Sequence, residues 1–164
     1  MDGSLGGIKQ VKVLNGGLGS WLSFGKNLST DVPKQKRSQF VAKSALTRTV
    51  SAEDIHNHSY TLIDARSVER FRGEAEPIDA KAGHIPGALC RPYEDNLSTD
   101  GKFDTRSTRF NALSGDLDIV CYCGSGVSAT QNIMAILLAG LPEPALYPGS
   151  WSEWIQNPMR PISP

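Results

Sequence analysis

The stretch CYCGSGVS, Cys121 to Ser128, holds the residues best suited to chemistry. Cys123 opens it onto Gly124, Ser125, Gly126, Val127 and Ser128. The apolar run before it reads as a strand (117–121), and the run after it, Val127 to Ala139, reads as a helix. Glycine and serine let a backbone curl tightly. The amides of Gly124, Ser125, Gly126, Val127 and Ser128 can then converge at the start of a helix, where N–H groups and the helix dipole hold anions. The same field favours thiolate over thiol. A strand–Cys–loop–helix unit therefore suits a nucleophilic sulfur and any anion left on it.

Three other readings compete. A cysteine phosphatase also places a Cys loop before a helix, but it needs an arginine closing the loop to grip phosphate with two prongs. Here the closing residues are Val127 and Ser128. A zinc site could draw on Cys121, Cys123 and the histidines. It is set aside on the expectation that the thiols of Cys-x-Cys project to opposite faces of the strand, so no metal is expected. A buried structural cysteine suits Cys121 and Cys90, since free cysteine behaves as a small core hydrophobe. It suits Cys123 poorly, because a structural cysteine has no need of so many small neighbours.

The elements that must position Cys123 follow an alternating pattern. TLIDA (61–65) is a β-rich run ending in a carboxylate, and SVERF (67–71) reads as a helical turn. Ser51 is placed to cap a short helix over AEDIHN, with Asp54 near its positive end. GHIPGAL (83–89) reads as a loop entering a strand. Phe110 and Leu113 have helical spacing within 106–113. LDIVCYC (117–123) is almost continuously apolar, as in a strand covered on both faces. Gly140 and Pro142 stop the following helix. PALYPGSW (144–151) is a last short strand and turn. Strands alternating with helices predict an α/β fold with a mainly parallel central sheet flanked by helices on both faces.

Composition narrows the function classes. The 164 residues are 39% hydrophobic, enough for one ordinary core. Lys+Arg and Asp+Glu balance at 17 each, which removes the usual electrostatic case for nucleic acid. No apolar run approaches the roughly 20 residues needed to span a bilayer. MDGSLGGIKQ has neither the charged nor the apolar part of a signal peptide. Three cysteines suggest a reduced, cytoplasmic chain with one special thiol rather than a disulfide framework.

The N-terminal part differs in character. VKVLNGGLGSW (11–21) is apolar and Gly-rich, and it echoes PALYPGSWSEW (144–154). Val13 matches Leu146, Leu14 matches Tyr147, Gly16 matches Gly149 and Trp21 matches Trp154, all at one sequence offset. A strand, a Gly turn and an anchoring Trp occurring twice suggest duplication. Residues 1–25 are accordingly read as the remnant of the end of a preceding domain, 26–45 as a polar linker, and 46–164 as the catalytic domain.

TLIDARSVERFRGE, AGHIPGAL, CGSGVSA and LYPGSWSEW, in that order, resemble the C-terminal half of a two-domain rhodanese-family sulfurtransferase. The loop CGSGVS is most similar to that of the 3-mercaptopyruvate sulfurtransferases. Thiosulfate-preferring relatives tend to carry basic residues within the loop, and this loop has none.

The resemblance implies that Cys123 takes sulfur from a small anionic donor, 3-mercaptopyruvate or thiosulfate, and holds it as a persulfide. It then passes the sulfur to a thiol, cyanide or a thioredoxin-like acceptor, with no cofactor. The loop residues Gly124 to Ser128 would bind donor and persulfide, with Ser125 near the sulfur, and Arg70 would hold the donor's anionic group. Asp64 and Arg66 match a structural pair behind the loop, and His84 more often stabilises a turn than acts as a base. Two departures stand out. Asp79 occupies a position where mercaptopyruvate enzymes usually carry a second arginine, and the first domain is missing. The alternative is a non-catalytic sulfur-carrier or interaction domain. The dense apolar set within residues 1–25 is expected to support weak dimerisation.

Overall fold

A computed structural model describes residues 11–37, 39, 41, 44–45, 47–105, 108–113, 115 and 118–164. Parts of several predicted segments lie outside these: residues 1–10 of the N-terminal remnant, 38, 40, 42 and 43 of the linker, Leu46 at the start of the catalytic domain, 106 and 107 of the predicted helical stretch, and Leu117.

Four parallel strands form the sheet. They are β1 (Thr61–Asp64), β2 (Leu89–Cys90), β3 (Ile119–Tyr122) and β4 (Ala145–Leu146), in the spatial order β2-β1-β3-β4. Among the described residues five α-helices accompany them: α1 (Gly17–Ser23), α2 (Ala52–Asn57), α3 (Val68–Phe71), α4 (Ala129–Leu138) and α5 (Ser150–Trp154). The register sets Asp64 beside both Cys90 and Tyr122, so the chain leaves β1, β2 and β3 along one edge. Ligand sites in parallel α/β sheets gather at that edge.

Strand side chains alternate between faces, and the two halves of the core divide accordingly. Leu62, Val120 and Tyr122 pack with Ala52 and Ile55 of α2 and with Trp151 and Trp154 of α5. Ile63, Ile119 and Cys121 pack on the other face with Ala129, Ile133 and Ile136 of α4. Both faces are covered, as the continuous apolar run of β3 predicts. Each buried aliphatic or aromatic side chain contributes about 1.5–3 kcal/mol.

Local signals explain the element ends. Ser51 Oγ accepts from the Asp54 N–H at 3.1 Å, and the Asp54 carboxylate accepts from the Ser51 N–H at 2.8 Å, closing a capping box on α2. α4 begins at Ala129, two residues later than predicted, because the cysteine loop continues through Ser128. Within 106–113 the helical spacing resolves into one 3₁₀ turn, Asn111–Leu113, with Phe110 and Leu113 buried. A three-residue separation fits that tighter turn as well as an α-helix.

The N-terminal segment only partly follows its predicted likeness to 144–154. A short helix follows the glycine in both, α1 after Gly16 and α5 after Gly149. Residues 11–14, however, are not in a strand, and Trp21 is 40% exposed where Trp154 is 2% exposed. Val13 and Leu14 are 57% and 55% exposed, where their counterparts Leu146 and Tyr147 are buried.

Candidate active site

Cys123 is the first residue past β3 and is 2% exposed. Its backbone is held from the turn after β4. The Cys123 N–H donates to Ser150 Oγ at 3.1 Å, and Ser150 Oγ donates to the Tyr147 carbonyl at 2.9 Å. In return, the Trp151 N–H donates to the Cys123 carbonyl at 3.0 Å and the Ser152 N–H to the Gly124 carbonyl at 2.9 Å. Trp151 and Ser152 thus satisfy the carbonyls of Cys123 and Gly124.

The loop's amides are the central feature. The N–H groups of Gly124, Ser125, Gly126, Val127 and Ser128 donate to no acceptor among the described residues. They run into the N-terminus of the ten-residue α4, whose Ser128 cap makes no side-chain bond. Free N–H groups at a helix start bind anions. Gly126 has φ 77°, and a Cβ there would collide with the Pro148 carbonyl oxygen. The loop can curl at this point only because the residue is glycine. Ser125 and Val127 are exposed on the outer rim, and Gly124, Gly126 and Ser128 are half-buried.

Cys121 and Cys123 lie on the same side of the sheet, in one apolar cluster. This overturns the expectation of opposite faces, since residues two apart in a strand share a face. Among the described residues, no three or more His, Cys, Asp or Glu side chains come together as a metal-binding group. Burial, reinforced by the charge of Cys123, pushes the Cys121 thiol well above its ordinary range, as befits a structural cysteine. Cys90 is half-buried at the end of β2, and burial followed by the charge of Asp64 pushes its thiol up. A groove of about 540 Å³ lined by Phe71, Arg72, Cys90, Arg91 and Arg109 lies along the same edge. Neither Cys123 nor its loop lines it.

A ladder of alternating charges stands beside the loop. Arg66 binds Asp64 through Nη2 at 2.7 Å and through Nε at 3.1 Å, with both side chains at most 1% exposed. The same guanidinium reaches Glu76 at 3.3 Å and the Gly83 carbonyl at 2.7 Å, and lies 4.7 Å over the Trp151 ring. Burial opposes its charge, but the bonds and charge of Asp64, with smaller help from Tyr122 and Glu76, hold its pKa above the ordinary value. Arg66 and Asp64 are therefore a buried brace at the end of β1, as the resemblance implied.

Arg70 on α3 is positioned by Ser67, which caps that helix. Its guanidinium donates to Glu76 through Nε at 3.1 Å and Nη2 at 2.7 Å, and to Asp79 through Nη2 at 3.1 Å. Both Nη atoms come within 3.6 Å of where a Gly124 side chain would begin. The structure thus brings Arg70 to the cysteine loop. His84 donates through Nδ1 to the Phe71 carbonyl at 2.8 Å, stacks on the Phe71 ring with centroids 3.7 Å apart and pairs its backbone with Ser163, which is a turn-stabilising role.

Sequence reasoning did not single out Glu76, Ser150 or Ser152, and it saw Asp79 only as a departure. Glu76 grips both Arg66 and Arg70, while Asp79 accepts from Ser152 Oγ at 2.7 Å. The available signal was the clustering of Arg66, Arg70, Glu76 and Asp79 in one short stretch.

Comparisons with known proteins agree with this geometry. Residues 47–157 match the rhodanese-like domain. A probable 3-mercaptopyruvate sulfurtransferase of Pseudomonas aeruginosa is 41% identical over 97% of this chain and 60% of its own length. The thiosulfate sulfurtransferase of Gallus gallus is 31% identical over 92% of this chain and 55% of its own. Among solved structures, an EanB variant bearing a cysteine persulfide, in a tetrahedral intermediate state with ergothioneine, superposes with a TM-score of 0.83 at 28% identity, over 98% of this chain and 43% of that one. The chain thus spans 55–60% of the length of these curated relatives. A parallel sheet, a cysteine loop at its edge and a family match across both place this chain in the rhodanese-like domain family.

Proposed function

We propose that this chain is the catalytic part of a sulfurtransferase that works through a persulfide on Cys123. The observation that carries the reading is the run of five loop amides after Cys123, Gly124 to Ser128, without an acceptor among the described residues. The names of its relatives support the reaction class.

With thiosulfate, the Cys123 thiolate attacks the outer sulfur. The S–S bond breaks heterolytically, sulfite leaves with the electron pair, and Cys123 keeps a persulfide. With 3-mercaptopyruvate, the thiolate attacks the thiol sulfur and the C–S bond breaks toward carbon. Pyruvate leaves as its enolate and takes up a proton. The negative charge on the outer persulfide sulfur falls among the free amides, which are fixed in place before the reaction and cost little reorganisation. Cyanide, a thiol or a thioredoxin-like acceptor then attacks that sulfur, and the Cys123 thiolate is regenerated. Arg70 offers the donor anion its Nη1 edge. No metal or redox cofactor takes part in these steps.

Steady-state turnover with thiosulfate and with 3-mercaptopyruvate, side by side, tests the proposal. Catalytic turnover of either donor supports it. Stoichiometric loading of Cys123 without turnover assigns the chain instead to sulfur carriage.

A further inference from the structure

Asp79 changes what Arg70 can do. The charge ladder beside the loop holds three carboxylates, Asp64, Glu76 and Asp79, against two guanidinium groups, Arg66 and Arg70, and so carries one net negative charge. Arg70 is already committed. Its Nε and Nη2 N–H groups are taken by Glu76 and Asp79, and only Nη1 lacks an acceptor among the described residues. Asp79 is not a loose surface group. Its side chain is 9% exposed, its other oxygen accepts from Ser152 Oγ at 2.7 Å, and Ser152 is tied by its N–H to the Gly124 carbonyl at 2.9 Å. The point where a Gly124 side chain would begin is 3.6 Å from both Nη atoms and 4.0 Å from Asp79 Oδ2. Any head group arriving over Gly124 meets the guanidinium and the carboxylate together.

We propose that Asp79 is a specificity-determining residue: a built-in carboxylate that competes for Arg70, weakens the binding of anionic sulfur compounds and favours those whose head group is neutral or carries an ammonium. A carboxylate or sulfonate on Nη1 lies beside a like charge of low mobility, and repulsion at that distance in a partly dry site is strong. An ammonium there gains the attraction of Asp79 instead. The substrates concerned rest on the sulfurtransferase reading; the field at Cys123 does not.

Alkylation of Cys123 measures that field without any turnover. Iodoacetate carries a carboxylate, iodoacetamide is its neutral counterpart, and 2-bromoethylammonium carries a cation. Rates are read on the Cys123 peptide by mass spectrometry in the full chain, for the wild type, Asp79→Asn and Asp79→Glu. Asparagine removes the charge at nearly constant shape: its amide oxygen can accept from Arg70 Nη2 while its NH2 donates to Ser152 Oγ, the reverse of the present Ser152 bond. The iodoacetate-to-iodoacetamide ratio should rise about tenfold in Asp79→Asn, and the bromoethylammonium ratio should fall. In Asp79→Glu both ratios should remain near the wild type. In turnover assays, kcat/KM of Asp79→Asn for thiosulfate and 3-mercaptopyruvate should rise by a similar factor. Ratios unchanged in Asp79→Asn, or equally shifted in Asp79→Glu, overturn the proposal. Shifted ratios with no turnover of any donor uphold it and sink the sulfurtransferase reading instead.

Discussion

The backbone N–H of Cys123 donates to Ser150 Oγ at 3.1 Å, and Ser150 has φ 53°, the left-handed region in which serine is rarely found. Among the described residues no other non-glycine residue has a positive φ. The strain is held because the same hydroxyl donates to Tyr147 and because the neighbouring Trp151 N–H binds the Cys123 carbonyl. Strain of this kind tends to collect where a site is pre-organised.

Ser150→Ala removes both hydroxyl bonds in a fully buried position and keeps the strained backbone. It should lower stability by about 1–3 kcal/mol and slow sulfur loading of Cys123. Ser150→Gly also loses the hydroxyl but relieves the left-handed strain, so it should cost less. Urea unfolding of the two variants checks the order. A Ser150→Ala chain as stable as the wild type would show that the hydroxyl does not brace the loop.

In the proposed reaction Arg70 anchors the donor, and in the fold it is the counter-charge of Glu76 and Asp79; its variants should separate the two roles. Arg70→Ala leaves Asp79, 9% exposed, without its cation, and Glu76, 4% exposed, with Arg66 alone. Losing one partner of a buried pair costs about 3–5 kcal/mol. Arg70→Lys keeps the charge but loses the fork, so it should fold and show a KM for both donors raised about tenfold, since a charge-assisted bond contributes roughly 1.5–3 kcal/mol. Donor KM values unchanged in Arg70→Lys would move the anchor to another residue, such as Arg72 or Lys81.

Glu76 predicts a pH dependence. Burial raises its pKa, but the Arg70 bond, the N–H groups of Asp79 and Ile78 and the Arg70 charge outweigh burial, so the folded carboxyl lies below the ordinary value. A depressed folded pKa contributes stability above the unfolded pKa, and that contribution is lost as pH falls through the folded value. Stability should therefore decline below about pH 4.5, the ordinary glutamate range. Glu76→Gln should flatten that part of the curve while lowering stability at neutral pH. Denaturant midpoints between neutral and acid pH provide the check; parallel curves for the two proteins would refute the assignment.

We propose that the N-terminal segment drives partial dimerisation. Val13, Leu14, Leu18, Leu22 and Phe24 are 49–74% exposed, five large apolar side chains within a span of about twelve residues. Such a patch promotes association. Light scattering of the full chain should show a concentration-dependent dimer that Leu18→Asp with Phe24→Asp abolishes. Strictly monomeric behaviour of the unsubstituted chain across concentrations would discard the idea.

The parts of the fold set by short-range pattern were legible in the sequence. β1, β3 and α4 follow from apolar runs and stop signals, the α2 cap from Ser51 and Asp54, and the cysteine loop from its small residues. What was missed depends on contacts between distant segments. Ser150 reaches Cys123 from 27 residues away, and Ser152 reaches Asp79 from 73. No periodicity marks Glu76 as the clamp of two arginines, because it lies in a loop without a repeating pattern. The side of the sheet taken by Cys121 was legible from simple alternation and was misread.

The central claim is that Cys123 alone carries transferred sulfur. Mass spectrometry of peptides from the full chain, after treatment with donor and removal of the excess, tests it most directly. The account predicts about 32 Da, one sulfur atom, added to the Cys123 peptide. It further predicts no transfer in Cys123→Ser, with loading retained in Cys90→Ser and Cys121→Ser. Sulfur found only on Cys90 or Cys121, or turnover surviving in Cys123→Ser, would contradict it.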